Sequence, residues 1–267
     1  MRENKDIPFK ENVYGHRKRL SWILSHIRPD EQILEVGCGT GSMISLPLAR
    51  LGYHVVGADT DSASIAFGKE LCDKMNLDPS LLRFEHLSQD SSYPKGIIVS
   101  EVLEHLSDQR LFTLLLEIRA KLLYGGLLLV TVPNGYGWFE MESFLWFRTG
   151  IGKLLEKSKL LGLMGRVKRL ILGAAIEPPY PSTLSSSRHR QRFTYRSIQT
   201  LLERNGFEVT EITGSVLFCG PFSNLFLTGI APVMGINCLL GRWFPKVASG
   251  FYVACRPSNQ GISDGKI

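Results

Sequence analysis

Three glycines at alternating positions, Gly37, Gly39 and Gly41, follow an apolar run from Ile33 to Val36 and precede a stretch with helical spacing. A turn of this kind lets the free backbone N–H groups of a helix start approach a ligand without side-chain interference. Nucleotide-binding sheets also need an acceptor for ribose hydroxyls at the end of the second strand, about twenty residues downstream. Asp59 stands there. Two features then separate the candidate ligands. A dinucleotide fingerprint is spaced G-x-G-x-x-G, and here the third glycine comes one position early. Glu35, two residues before the first glycine, would repel a pyrophosphate but tolerates a ligand carrying a sulfonium and an amino group. A nicotinamide dinucleotide remains the competing ligand.

Positioning such a turn requires alternating strands and helices. Tyr14 to Ile27 has apolar positions at helical spacing (Leu20, Ile23, Leu24, Ile27), and Pro29-Asp30 ends it. Strands are expected at Gln32–Val36, Tyr53–Asp59, Leu81–Glu85, Ile97–Ser100 and Leu127–Val132, with helices to Leu51 and over Ser62–Met75 and Asp108–Leu123. Thr194 is an expected N-cap for a helix through Arg204, stopped by Asn205-Gly206. Strands at Phe207–Thr213 and Gly250–Cys255 follow, the second able to pair antiparallel. The fold class implied is α/β: a Rossmann-like, doubly wound, mostly parallel seven-stranded sheet with a helical insertion after the fifth strand. The chain reads as one domain over residues 1–267, with a lid or acceptor insertion at 135–187 and an apolar insertion at 214–246.

The segment ILEVGCGTG (33–41) resembles motif I of class I S-adenosylmethionine-dependent methyltransferases. VVGADTD (55–61), IIVSEVLEHLSD (97–108) and YGGLLLVTVPN (124–134) resemble the second-, fourth- and fifth-strand segments of that family. HRQRFTYRSIQTLLERNGFEV (189–209) is similar to a late segment of its small-molecule members, the quinone-biosynthesis type among them. The resemblance implies S-adenosylmethionine as cofactor. It places Gly37, Gly39 and Gly41 along the methionine and ribose, Glu35 beside the methionyl part, Asp59 on the ribose diol and Glu101 near the sulfonium. Two departures stand out. The acid usual after the third strand falls nearest Ser88 or Gln89, with Asp90 slightly late, and Lys95-Gly96 replaces the acid at the start of the fourth. Methyl transfer from an activated sulfonium needs alignment and exclusion of water more than an elaborate constellation. An oxygen acceptor would gain from a positioned base, with His189 the first candidate and His105 the second. The alternative is that His105 packs at a helix start and His189 is a surface residue among arginines.

Composition limits the partners. The net charge of +6 resides in one place: between Arg148 and Arg169 seven basic residues face one acid, Glu156. Basic residues confined to one stretch, rather than spread over a reading face and interleaved with stacking aromatics, argue against a nucleic-acid partner. Aromatic residues cluster from Trp138 to Phe147, and Ile151, Leu154, Leu155, Met164, Val167 and Ile171 recur at helical spacing among the cations. This is the pattern of a membrane-surface helix or of a lid packed on the sheet. No charge occurs from Ile212 to Gly241, but prolines and glycines interrupt the run and the chain must return to the sheet. A pocket or lid for a small or lipid-linked acceptor is therefore expected over a membrane span, with peripheral membrane contact through 138–171 and 214–246 as a further expectation.

Five scattered cysteines without CxxC pairs imply free thiols, a cytoplasmic protein and no structural metal. The N-terminal residues carry no apolar run of signal-peptide type. Glu177-Pro178-Pro179-Tyr180 matches a short element of base-methylating enzymes but lies far from the fourth strand, and is read as a proline-rich loop. A non-catalytic methyltransferase-like module that scaffolds partners or docks on a membrane is the reading from a different class.

Overall fold

The computed structural model describes residues 7, 10–87, 94–122, 125–158, 166, 170 and 189–258. Ser88 to Asp90, the apolar positions Met164, Val167 and Ile171, and Glu177 to Tyr180 lie outside the described residues.

The strands are β1 (Gln32–Val36), β2 (His54–Asp59), β3 (Leu82–His86), β4 (Gly96–Ser100), β5 (Leu127–Pro133), β6 (Phe207–Gly214) and β7 (Gly250–Pro257). They form one seven-stranded sheet in the order β3-β2-β1-β4-β5-β7-β6. The first five pair in parallel, and β7 runs antiparallel to both β5 and β6. The helices are α1 (His16–Leu24), α2 (Ser45–Arg50), α3 (Ser62–Lys74), α4 (Asp108–Lys121), α5 (Trp138–Arg148), α6 (Ile151–Lys157), α7 (Tyr195–Arg204), α8 (Pro221–Leu227) and α9 (Ala231–Trp243).

Because side chains alternate across a strand, a sheet covered on both faces needs apolar residues at consecutive positions. Leu34, Val36, Ile97, Val99, Leu128 and Val130 point to one face, where Leu111, Leu115 and Ile118 of α4 and Ile198 and Leu202 of α7 close over them. Ile33, Val55, Ile98 and Leu129 point to the other, beneath Leu20 and Ile23 of α1, Leu48 of α2 and Ile65 of α3.

The ends of the elements follow local chemistry. Asp61 caps α3 by accepting from Ser64 N, and Thr194 and Ser197 form a reciprocal capping box at α7. The first helix is shorter than its periodicity predicts, beginning at His16 after a left-handed Gly15 and ending at Leu24. The uncharged run before β7 folds as α8 and α9 rather than a single long helix, with Pro221 and Pro232 in first turns, where a missing N–H costs nothing. No helix among the described residues is long and apolar enough to cross a membrane.

Candidate active site at the switch point

Strand order reverses between β1 and β4, so their carboxyl ends diverge and leave the crevice in which open α/β sheets bind ligands. The glycine turn lies on its β1 side. Gly37 N and Cys38 N both donate to Ala58 O, at 2.8 and 3.1 Å, which pins the turn to β2. Gly37, Gly39 and Gly41 all have positive φ. A Cβ on Gly37 would stand 2.4 Å from Val102 Cγ2 and one on Gly41 2.6 Å from Phe84, whereas one on Gly39 would meet nothing within 4 Å. Two glycines are thus required by packing, and the third faces open space where a ligand can approach the backbone.

Asp59 closes the turn. Its Oδ2 accepts from Gly39 N at 2.7 Å and its Oδ1 from Asp61 N at 2.9 Å. Each carboxylate oxygen keeps a second acceptor site for a diol. Glu35 is turned inward, taking Ser45 N at 2.9 Å and the Ser45 hydroxyl, so it ties β1 to the start of α2. Burial pushes its pKa up to about 7 against the Ser45 hydrogen bonds. Glu101, directly after β4, holds a left-handed φ of 56°, a conformation that costs a side-chain-bearing residue on the order of 1–2 kcal/mol. Its carboxylate accepts from Thr131 Oγ1 at 3.0 Å and lies 3.6 Å from Arg19 Nη2.

Arg19 escapes sequence reasoning, since Arg17-Lys18-Arg19 reads as a solvated run. The available signal was its spacing of four from Ile23 and of eight from Ile27, which puts it on the buried stripe of α1. Its Nη1 donates to Ser100 Oγ at 3.1 Å, and its buried Nε lacks a hydrogen-bond partner among the described residues. Burial disfavours the charge, but Glu101, Tyr252 and Glu104 outweigh it, so the guanidinium stays ionised. Glu104 is pushed well above the usual carboxylate range by burial and then by the Glu101 charge. Carboxyl groups from β1, β2 and the β4 end share this region with the Arg19 guanidinium. Such a donor set, with an orphaned guanidinium N–H and an open backbone at Gly39, fits a zwitterionic amino acid that also carries a sulfonium and a ribose diol.

The two histidines meet although they are far apart in sequence. Arg190 N and Gln191 N donate to Glu104 O at 2.7 and 2.9 Å, and Gly135 N donates to Phe193 O at 2.8 Å, lashing the returning chain beside the end of β5. The rings of His105 and His189 pack edge to face, centroids 5.1 Å apart. His189 Nδ1 lies 3.3 Å from Glu140 Oε1 on α5, a partner that sequence reasoning did not identify. Glu104, His105 and His189 each bring one ligand-type atom within 4.8 Å of the others, a cluster that no local spacing announces. Beside the pair opens a cleft of about 330 Å³ lined by His105, Leu106, Ser107, Arg110 and Arg190.

Two helical segments meet over this edge. Glu142 of α5 is buried and accepts from Trp138 Nε1 at 2.5 Å, from Ser223 N at 2.8 Å and from the Ser223 hydroxyl on α8. Trp146 packs edge to face on Phe222, and Trp138 on Phe218. All five cysteines are free thiols.

Residues 14–212 match a family model described as a methyltransferase domain. Among curated proteins, the ubiquinone biosynthesis O-methyltransferase of Maricaulis maris is 32% identical over 116 residues, 42% of this chain and 44% of that protein. The protein of the same name from a Chelativorans species is 35% identical over 106 residues, 39% of this chain and 40% of that one. The match thus spans less than half the length of these relatives. Among solved structures, magnesium protoporphyrin IX methyltransferase from Synechocystis with bound SAH superposes with a TM-score of 0.51 at 13% identity, over 94% of this chain and 89% of that one. With its switch-point crevice, glycine turn and seven-stranded sheet, this chain belongs to the methyltransferase domain family and has the class I S-adenosylmethionine-dependent methyltransferase fold.

Proposed function

We propose that this chain transfers the methyl group of S-adenosylmethionine to a small apolar or lipid-linked acceptor, at an oxygen atom. The observation that carries the reading is the closure of the glycine turn by Asp59, which sets an open backbone and a diol acceptor side by side at the switch point. Bound S-adenosylmethionine would supply an activated methyl group on a sulfonium. The chain's own task is then to hold the methionyl end between Arg19 and the turn, orient the ribose on Asp59 and keep water from the methyl group.

The acceptor oxygen must shed a proton. With Nδ1 of His189 donating to Glu140, its Nε2 is the basic nitrogen, so Glu140 sets the tautomer of a general base. His105 packs against that ring and supports it. A divalent cation held by Glu104, His105 and His189 is a second reading of the same cluster, favoured by its spacing. An apolar acceptor is supported by the aromatic segments over the crevice, and an oxygen acceptor by the name of the curated relatives. Such an acceptor partitions into lipid, so the enzyme would work at the membrane periphery, through 138–171 and 214–246.

Incubation with methyl-labelled cofactor and a lipid extract tests this. Label should enter the organic phase as a methyl ether or ester, and His189→Ala should lower kcat/KM by roughly a hundredfold. Label confined to protein or nucleic acid, or no transfer despite cofactor binding, would overturn it, the latter in favour of a non-catalytic module. Loss of activity after EDTA treatment, restored by a divalent metal, would select the cation reading.

A further inference from the structure

Fifteen of the seventeen large apolar side chains exposed among the described residues lie in two stretches, 136–170 and 226–247. Their placement on α5 and α9 is inverted relative to an ordinary surface helix. On α5 the residues turned inward are Glu142 and Trp146, while Met141, Phe144, Leu145 and Phe147 face out, Phe147 with 71% of its surface exposed. On α9 the inward positions are Met234, Asn237 and Gly241, and Ile236, Leu239 and Trp243 face out, Trp243 at 66%. In each helix a polar side chain is spent on internal latching. Glu142 binds Ser223, and Asn237 takes Phe218 N at 2.7 Å and donates to Phe218 O at 2.8 Å. A soluble surface helix buries its apolar stripe and shows its polar one. These do the reverse, and exposed apolar surface of this extent marks an interaction site.

We infer that the outward faces of α5 and α9 form one surface that docks on an anionic lipid bilayer. Charge complementarity selects that occupant. Arg148, Lys153 and Lys157 on the α5–α6 side and Arg242 and Lys246 at the end of α9 are all exposed around the apolar residues, and no acid occurs from 226 to 247. Aromatic side chains accompanied by lysine and arginine suit a negatively charged headgroup layer, to which each such cation is attracted. Two copies facing each other through this surface would bring the same cations together, which disfavours a homodimer. Phe218 links the two helices, packing on Trp138 of α5 and hydrogen-bonding Asn237 of α9. The surface rests on the proposed function only for its purpose, delivery of an apolar acceptor to the crevice below.

Flotation of the full chain with vesicles of phosphatidylcholine alone, and of phosphatidylcholine with phosphatidylglycerol, tests the inference. The protein should float with the anionic vesicles at least about tenfold more strongly, and added salt should reduce the difference. A double variant, Phe147→Glu with Leu239→Glu, should lose roughly tenfold or more of that binding. Both residues are exposed, and unchanged affinity for S-adenosylhomocysteine would show that the fold persists. Arg242→Gln with Lys246→Gln, which leaves the apolar surface intact, should remove part of the preference for phosphatidylglycerol. Brominated lipid should quench the exposed Trp243, with the quenching reduced in Trp243→Phe. Absence of flotation with anionic vesicles, or flotation unaffected by the double variant, overturns the inference. So does a dimer in solution that the double variant dissociates, since the face would then be covered by a second copy. Flotation without cofactor affinity would sink the proposed reaction and leave this surface standing.

Discussion

The carboxyl edge of β1, β2 and β4 and the helices α5 and α9 solve opposite problems. Along the edge three carboxylates are each held in place: Glu35 by Ser45, Asp59 by the backbone N–H groups of Gly39 and Asp61, Glu101 by Thr131 and Arg19. Such pre-organisation suits a ligand of fixed shape and charge. In α5 and α9 the uncharged or acidic residues Asn237 and Glu142 are turned inward to bond Phe218 and Ser223, and large apolar side chains are left outside. That arrangement suits an apolar phase or acceptor. One region recognises by geometry, the other by hydrophobicity.

The sharpest way to break this contrast is at Gly37. Alanine there adds a Cβ 2.4 Å from Val102 in a left-handed backbone, and should cost about 3 kcal/mol of stability in urea unfolding. Gly39→Ala, with no neighbour within 4 Å, should cost only about 1 kcal/mol while still impairing cofactor affinity. Equal stability losses would mean that the turn is not built as described.

The next effect is one of pH. Glu35 has an ordinary value near 4.5 when unfolded and about 7 when folded, raised chiefly by burial. The folded state therefore holds the extra proton between those values, so the stability linked to this group is full below about pH 4.5 and declines as pH rises through 7. The stability of Glu35→Gln relative to wild type should grow by about 3 kcal/mol across that window. A flat difference would show that burial of Glu35 has no energetic consequence.

A smaller effect sharpens the other half. Glu142→Ala strands Ser223 N and Trp138 Nε1 and should lower stability by about 2 kcal/mol in thermal unfolding. Transfer to an apolar acceptor should fall more than affinity for S-adenosylhomocysteine, which should stay within about twofold. Parallel loss of both would join the two regions energetically.

The regions also differ in how far sequence alone exposes them. The sheet and its flanking helices were legible because consecutive apolar runs, the capping residue Thr194 and the glycine spacing are local signals. The turn and Asp59 were legible because their separation is set by one strand–helix–strand unit. Arg19 was hidden by its basic neighbours, and Glu140 and Glu142 by a helix whose aromatic content read as a membrane-surface helix or a lid packed on the sheet. The meeting of His105 with His189 depends on a main-chain tether to Glu104 O that no periodicity encodes. The inversion of α5 and α9 was likewise invisible, because which face turns inward is decided by Ser223 and Phe218 on another segment.

Calorimetric titration of the wild type and of Asp59→Ala with S-adenosylhomocysteine is the most direct measurement. Wild type should bind one equivalent, and the variant should bind at least tenfold more weakly, since a charged acceptor of the diol is lost. Equal affinity in the two proteins, or no binding by the wild type, would contradict a cofactor cradle formed by the glycine turn and Asp59.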